Sequence, residues 1–222
     1  MKSKSVIEGR RRRQPLFGLV LIILLLGGWV YPPFGYFMIF CMVMAMAIGA
    51  VKGRHWCDWM CPRGSFWDAF LGRFSRNVKA PEFFRGVPFR LLWLGTLMTM
   101  LTVNLVPLWP DFYLMGKPFV MILTVTTAVG LILGMIYQPR VWCMFCPMGT
   151  MANWLGRGKM LLAVKESCVS CGLCEKVCRI GINPGSYREP GIVTDGDCLK
   201  CSYCVENCPK QALSFTEADR KK

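Results

Sequence analysis

The sequence has a single histidine, His55, among its 222 residues, and only 13 acidic residues against 27 Lys and Arg. The scarcity of histidine excludes most zinc sites and haem b, because both usually take imidazole ligands. A Cys-x-x-Cys-His run is absent, which excludes c-type haem. Neither a Gly-x-Gly-x-x-Gly fingerprint nor a Walker loop occurs, so the usual motifs for flavin, nicotinamide and nucleotide binding are missing.

The chain is instead rich in apolar residues, at 54% of the sequence, with a mean hydropathy of +0.38. Four apolar runs predict membrane helices: Leu16–Val30, Phe34–Val51, Leu91–Val106 and Phe119–Tyr137. The first and third are shorter than the ~20 residues that a spanning helix needs, so buried helices of a soluble protein are the alternative. Aromatic residues at the ends of the runs favour the membrane.

The distribution of charge predicts how the helices are oriented. Residues 1–163 contain 18 Lys and Arg against 5 Asp and Glu, whereas residues 164–217 are close to neutral. The basic residues concentrate at the start of the chain and in the loop after the second run, while the turns at 31–33 and 107–118 have few charges. The positive-inside rule therefore predicts a multi-pass protein of the bacterial cytoplasmic membrane with both termini cytoplasmic. The same distribution argues against nucleic-acid binding.

Two related strings of residues follow the second and fourth runs. They read Arg54-His55-Trp56-Cys57-Asp58-Trp59-Met60-Cys61-Pro62-Arg63-Gly64 and Arg140-Val141-Trp142-Cys143-Met144-Phe145-Cys146-Pro147-Met148-Gly149. The repeat predicts four transmembrane helices arranged as two repeated hairpins, with both Cys pairs at one membrane depth. We interpret the two arginines as anchors of the helix ends to lipid phosphate.

Eight further cysteines follow a spacing typical of iron–sulfur proteins. They form the series Cys168-x2-Cys171-x2-Cys174-x3-Cys178 and Cys198-x2-Cys201-x2-Cys204-x3-Cys208-Pro209. Three thiolates of one loop bind one cluster, and the fourth crosses to the other. We therefore expect two [4Fe–4S] clusters, one held by Cys168, Cys171, Cys174 and Cys208, the other by Cys198, Cys201, Cys204 and Cys178. A disulfide scaffold or a pair of zinc sites is the alternative.

This segment resembles the bacterial two-cluster ferredoxin over residues 164–217, which implies a small α+β domain. Arg179 stands where the first repeat of that family usually has proline. The predicted division is thus a four-helix membrane domain over 1–163, a cytoplasmic 2[4Fe–4S] ferredoxin domain over 164–217, and a basic tail over 218–222.

Cys57, Cys61, Cys143 and Cys146 form a second predicted constellation at the membrane edge. Because the two hairpins return to the same side, we expect the four thiols to converge as a third redox site. Either an additional iron–sulfur cluster or a redox-active dithiol pair fits this arrangement. Buried structural thiols are the alternative.

Taken together, the motifs resemble the membrane-bound polyferredoxins of the NapH and NosR type, which have four membrane helices, two Cys-x3-Cys-Pro motifs and a ferredoxin domain. The first motif matches as Cys57-x3-Cys61-Pro62, whereas the second has one residue fewer between Cys143 and Cys146. The resemblance implies an electron-transfer subunit of a quinol-linked oxidoreductase, with quinone as substrate and a partner redox protein.

His55 is the best available proton acceptor for quinol oxidation, because it lies beside Cys57 and is the only imidazole. A membrane iron–sulfur assembly or maturation factor, which reduces a metal or disulfide on a client protein, is the alternative function.

Overall fold

The computed structural model describes residues 4–216, without the side chains of residues 4–7 and of Arg73. The basic tail predicted over 218–222 lies outside this part. The helices of the apolar half are α1 (Lys4–Val30), α2 (Phe37–Lys52), α3 (His55–Trp59), α4 (Pro62–Phe70), α5 (Val87–Leu105), α6 (Gly116–Ile136), α7 (Trp142–Phe145) and α8 (Pro147–Leu155).

Within the described residues, four helical segments are long and apolar enough to cross a membrane. They are Glu8–Val30, Pro32–Lys52, Val87–Leu108 and Gly116–Ile136. The first and third extend further toward the N-terminus than the apolar runs, because charged and polar flanking residues continue the same helix. Both then reach the ~20 residues needed to span a bilayer.

The chain repeats one local arrangement after α2 and after α6. In each case a short helix carries the first cysteine of the motif, and a nine-residue helix begins directly after the second cysteine. Pro62 and Pro147 take the first position of these longer helices, where the fixed φ of proline suits the helix and its missing N–H costs nothing. α4 packs against α1, and α8 packs against α2.

A small sheet follows, with one-turn helices between its strands. It consists of β1 (Leu161–Val164), β2 (Ile192–Val193) and β3 (Leu213–Thr216), with the one-turn helices α9 (Leu173–Lys176) and α10 (Tyr203–Glu206). The strands are antiparallel in the order β2-β1-β3. Leu162 of β1 faces Val193 and Phe215, and alternate residues of β1 are buried.

Ion pairs attach this small part to the apolar half. Asp197 binds Arg54 (2.9 Å) and Arg90 (2.5 Å), and Asp195 binds Arg85 (3.3 Å). One apolar cluster also runs through both parts, from the short helices α3 and α7 into the strands. The cysteine loops are therefore positioned directly against the ends of the long helices.

Candidate functional site

The cysteines of the small part lie on two loops with the same backbone pattern. Left-handed residues separate the first three cysteines of each loop: Ser170 (φ 50°) and Gly172 (φ 75°) in one, Lys200 (φ 55°) and Ser202 (φ 67°) in the other. α9 and α10 follow and carry the third cysteine of each loop. The two loops therefore curve around their thiols in the same way.

Two cavities lie beside these loops, and four cysteines line each of them. The first is lined by Cys168, Cys171, Cys174 and Cys208. The second is lined by Cys178, Cys198, Cys201 and Cys204. In each cavity, three thiols come from one loop and the fourth comes from the other motif. All thirteen cysteines of the chain are free thiols.

The surroundings of the cavities suit an iron–sulfur cluster. Ile182 and Ala212 donate backbone N–H bonds to the Sγ atoms of Cys178 (3.3 Å) and Cys208 (3.4 Å). Burial, together with neighbouring thiolates, raises the pKa of Cys204 to about 12, so this thiol keeps its proton unless a metal replaces it. Within residues 4–216, no three His, Cys, Asp or Glu side chains are grouped as ligands of one metal ion. A cubane [4Fe–4S] cluster does not need side chains grouped around a single ion, because it takes one thiolate at each of four separate corners.

The structure brings the cysteines of the two Cys-Pro motifs together. Burial raises the pKa of Cys57 to about 12, and the ionised forms of Cys61, Cys143 and Cys146 add to this by electrostatic repulsion. Burial likewise raises the pKa of Cys143 to about 11. All four thiols thus lie within electrostatic range of one another, at the end of the membrane helices where the chain enters the small part.

The arginine of each motif crosses to the other motif. Arg54 donates a hydrogen bond to the carbonyl oxygen of Cys143. Arg140 donates one to the carbonyl oxygen of Cys57 (2.8 Å). The arrangement is reciprocal, because each guanidinium donates a hydrogen bond to the carbonyl oxygen of the first cysteine in the opposite string. The two motifs are therefore held together by their own arginines.

The prediction that Arg54 and Arg140 anchor helix ends to lipid phosphate is wrong. Both side chains are only 1% exposed, and each forms a buried ion pair, Arg54 with Asp197 (2.9 Å) and Arg140 with Asp68 (2.5 Å). A buried guanidinium needs carboxylate or carbonyl partners to offset its lost hydration. These partners are inside the protein, so neither arginine reaches the lipid.

The glycine of each Cys-Pro-x-Gly string makes room for the crossing arginine. A Cβ on Gly64 would lie 2.6 Å from Arg140 Nη1 and 2.7 Å from the carbonyl oxygen of Cys57. A Cβ on Gly149 would lie 2.6 Å from Arg54 Nη2. The arginine and glycine of the repeated strings therefore belong to one structural unit.

A buried network of ion pairs lies beside this unit, and Asp68 is at its centre. Asp68 pairs with Arg140, Arg10 (3.1 Å) and Arg179, and Asp58 pairs with Arg10 (2.8 Å). Burial alone would raise the pKa of Asp68, but the three guanidinium groups outweigh burial and hold the pKa at about 2. The sequence reasoning missed Asp68. The sequence does single out Asp68 in one respect, because acidic residues are rare in the first 163 positions.

Arg179 joins the small part to this network. Besides pairing with Asp68, its guanidinium lies 4.2 Å from the centroid of the Tyr203 ring and donates a hydrogen bond to the Tyr203 hydroxyl (2.5 Å). The residue that replaces the usual ferredoxin proline is thus a docking contact between α4 and the second cysteine loop.

Two hydroxyl groups occupy equivalent positions in the motifs. Ser65 and Thr150 each follow the second cysteine of their motif by four residues, and their oxygens are buried without a hydrogen-bond partner among residues 4–216. An unpartnered buried hydroxyl is costly, and a group held by the four thiols would give both hydroxyls an acceptor. The four thiols nearby are the donor set that such a group requires.

The ring of His55 stacks on Trp59, with centroids 5.2 Å apart and planes 3° from parallel. Burial lowers the pKa of His55 to about 4, and the charges of Lys52 and Arg10 add to this. The imidazole is therefore neutral at pH 7 and has a free nitrogen lone pair.

Two protein families match separate parts of the chain. Residues 34–81 and 120–165 match a 4Fe-4S binding domain, so each matched segment includes one Cys-Pro motif. Residues 167–213 match a 4Fe-4S dicluster domain. No solved structure matches the chain.

Curated relatives cover most of the chain at low identity. An uncharacterized protein of Methanocaldococcus jannaschii is 24% identical, over 82% of this chain and 79% of its own length. The putative electron transport protein YccM of Escherichia coli is 25% identical, over 79% of this chain and 54% of its own length. The ferredoxin-type protein NapH of the same organism is 27% identical, over 78% of this chain and 66% of its own length. The chain is therefore similar to the ferredoxin-type protein NapH and the putative electron transport protein YccM, and parts of it match 4Fe–4S domain families.

Proposed function

We propose that this chain takes electrons from quinol in the membrane and passes them through iron–sulfur centres to a partner redox protein. The observation that carries the proposal is the contact between the first Cys-Pro motif and the second cysteine loop. Trp59, two residues after Cys57, donates its ring N–H to the carbonyl oxygen of Lys200 (3.4 Å), between Cys198 and Cys201. Electrons leaving the membrane edge therefore have a short path into the dicluster part.

The two cysteine cavities are proposed to hold [4Fe–4S] clusters with crossed fourth ligands. One cluster uses Cys168, Cys171, Cys174 and Cys208, and the other uses Cys198, Cys201, Cys204 and Cys178. The cavity linings and the amide bonds to Cys178 and Cys208 support this assignment. When bound, such clusters supply one-electron transfer.

Cys57, Cys61, Cys143 and Cys146 are proposed as a third redox site, either a further iron–sulfur cluster or a dithiol pair. Its surroundings have an excess of positive charge. The guanidinium groups that act on the thiols are those of Arg54, Arg63 and Arg140. Arg10, Arg90 and Arg179 join the adjoining ion-pair network, in which, among residues 4–216, five arginines share the carboxylates of Asp58, Asp68 and Asp197. Four thiolates around a cluster carry a net charge of about −2, which offsets much of this excess.

The finer architecture of the sequence analysis stays part of the proposal. Two repeated hairpins agree with the equivalence of α3–α4 and α7–α8. The division predicted at residues 163 and 164 falls inside β1 (Leu161–Val164), so the dicluster part is proposed to begin at Leu161 instead. Cytoplasmic termini and the bacterial inner membrane follow from the basic loops. His55 remains the proposed proton acceptor because it is the only imidazole of the chain and lies beside Cys57 in the sequence, although its pKa of about 4 makes it a weak base at pH 7.

Anaerobic addition of a reduced quinone analogue to the purified, cluster-loaded protein tests the proposal. We expect EPR signals of reduced clusters within the time of one catalytic turnover. Clusters that dithionite reduces but quinol does not would contradict the relay and favour the assembly or maturation factor.

A further inference from the structure

A polar cavity of about 370 Å³ lies where the membrane helix α2 ends, between α8 and the dicluster part. The spanning segment ends at Lys52, and the cavity begins at Gly53. No cysteine lines it, so it is separate from the cluster cavities. Its charged lining residues are Arg54, Arg157, Lys159, Lys200 and Asp195.

Three of the four basic side chains have no acidic partner. Arg54 is paired with Asp197, and the single lining carboxylate, Asp195, is paired with Arg85. Among residues 4–216, no ion pair involves Arg157, Lys159 or Lys200. The cavity therefore has a positive charge that the described part of the protein does not balance.

Lys200 is the most informative of these residues. It is only 5% exposed, and its ammonium has no hydrogen bond to any residue between 4 and 216. The negative charges that act on its ammonium are those of Cys198, which the proposed cluster uses, and of Asp195, which is already paired with Arg85, so burial of this ammonium leaves room for a further anion. The cysteine loop itself does not need a lysine here, because Ser170 takes the same left-handed position in the first loop.

Apolar side chains beside the cavity indicate the source of the anion. Val51, Trp154 and Leu155 are 68%, 37% and 52% exposed, and each lies within two residues of a lining residue. Trp154 lies on α8, which packs against the membrane helix α2, and an exposed tryptophan in such a place is typical of the lipid interface. Basic pockets between membrane helices bind the head groups of anionic lipids.

We propose that this cavity binds the phosphate of an anionic phospholipid, with the acyl chains along Val51, Trp154 and Leu155. The lipid then bridges the ends of α2 and α8 to the Lys200 loop and holds the dicluster part against the membrane. The site does not depend on quinol chemistry.

Thermal unfolding of the delipidated, cluster-loaded chain tests this site. Short-chain phosphatidylglycerol is titrated in detergent, with phosphatidylcholine of the same chain length and inorganic phosphate as separate arms. The variants are Lys200→Ser, which copies the first loop, and the exposed pair Arg157→Gln with Lys159→Gln. Arg188→Gln, an exposed arginine outside the cavity, is the control.

We expect phosphatidylglycerol to raise the unfolding temperature of the wild type and of Arg188→Gln, and to bind both cavity variants at least about fivefold more weakly. Equal shifts in wild type and both cavity variants would overturn the site. An equal response to phosphatidylcholine, or to inorganic phosphate alone, would overturn the assignment to an anionic lipid. If Lys200→Ser alters the cluster loop, the double variant of Arg157 and Lys159 still tests the site.

Discussion

At the scale of single residues, the arginines of the repeated strings stabilise the opposite motif rather than their own. Arg54 reaches the backbone of Cys143, and Arg140 reaches that of Cys57. The repeat in the sequence singles out these arginines but gives no direction for their side chains. That direction depends on how α3–α4 packs against α7–α8, which spacing along one string does not encode.

Gly64→Ala tests this crossing contact. The new methyl group would meet Arg140 Nη1 at 2.6 Å and the carbonyl oxygen of Cys57 at 2.7 Å, and Arg140 is held by Asp68. We expect a loss of about 1–3 kcal/mol in the free energy of unfolding, which thermal unfolding in detergent measures. Gly72→Ala, where nothing lies within 4 Å, is the control. Equal stability of the two variants would show that the arginine can move aside.

Arg140→Gln tests the ion-pair network. Without this guanidinium, the buried carboxylate of Asp68 loses its strongest partner, and we expect a loss of about 3–5 kcal/mol at pH 7. The pKa of Asp68 is held at about 2 against an ordinary 3.8, so its stabilisation is present above pH 3.8 and is lost as the pH falls toward 2.

The difference between wild type and Arg140→Gln should therefore narrow across that pH range in thermal unfolding. Arg76→Gln, an exposed arginine in the segment between α4 and α5, is the control. A difference that does not change with pH would contradict the assignment to Asp68.

At the scale of secondary-structure elements, the apolar runs predict the four long helices, and the structure confirms four apolar helices of spanning length. Their N-terminal bounds are wrong by several residues for α1 and α5, because hydropathy stops at charged residues that the helix continues through. The left-handed residues Lys200 and Ser202 were also not predictable, since neither is glycine and only the curvature of the cysteine loop requires them.

Four cysteine variants test the crossed ligands. Cys208→Ala and Cys171→Ala should remove the same cluster, because their thiols line one cavity, and should leave identical EPR spectra from the remaining cluster. Cys178→Ala and Cys201→Ala should both remove the second cluster and should leave identical EPR spectra from the first cluster. If Cys208→Ala instead resembles Cys201→Ala, the fourth ligands do not cross.

At the scale of the whole molecule, the sequence predicts a membrane part and a dicluster part but not how they are joined. The join includes the ion pairs Arg179–Asp68 and Arg54–Asp197, whose members are far apart along the chain. Arg179 appeared only as a departure from the ferredoxin pattern. Arg179 joins the two parts through the carboxylate of Asp68 on α4, and no local sequence motif predicts that pairing.

Arg179→Pro tests this join. Pro209 stands at the same place in the second cysteine motif, so we expect the variant to keep its full iron content. The loss of the contact with Asp68 should free the dicluster part and increase trypsin cleavage at Arg157 and Lys159 severalfold. Arg188→Gln is the control for a surface arginine. Unchanged cleavage would show that the other ion pairs suffice.

The central claim is that electrons pass through the membrane-edge thiols. The most direct test is the rate at which a reduced quinone analogue reduces the dicluster part. Cys61→Ser and Cys146→Ser should each slow this rate at least about tenfold in proteoliposomes, while dithionite still reduces both clusters. Cys41→Ser, a thiol of α2 outside the motifs, should keep the wild-type rate. Wild-type rates in both motif variants would contradict the account, because electrons would then bypass this site.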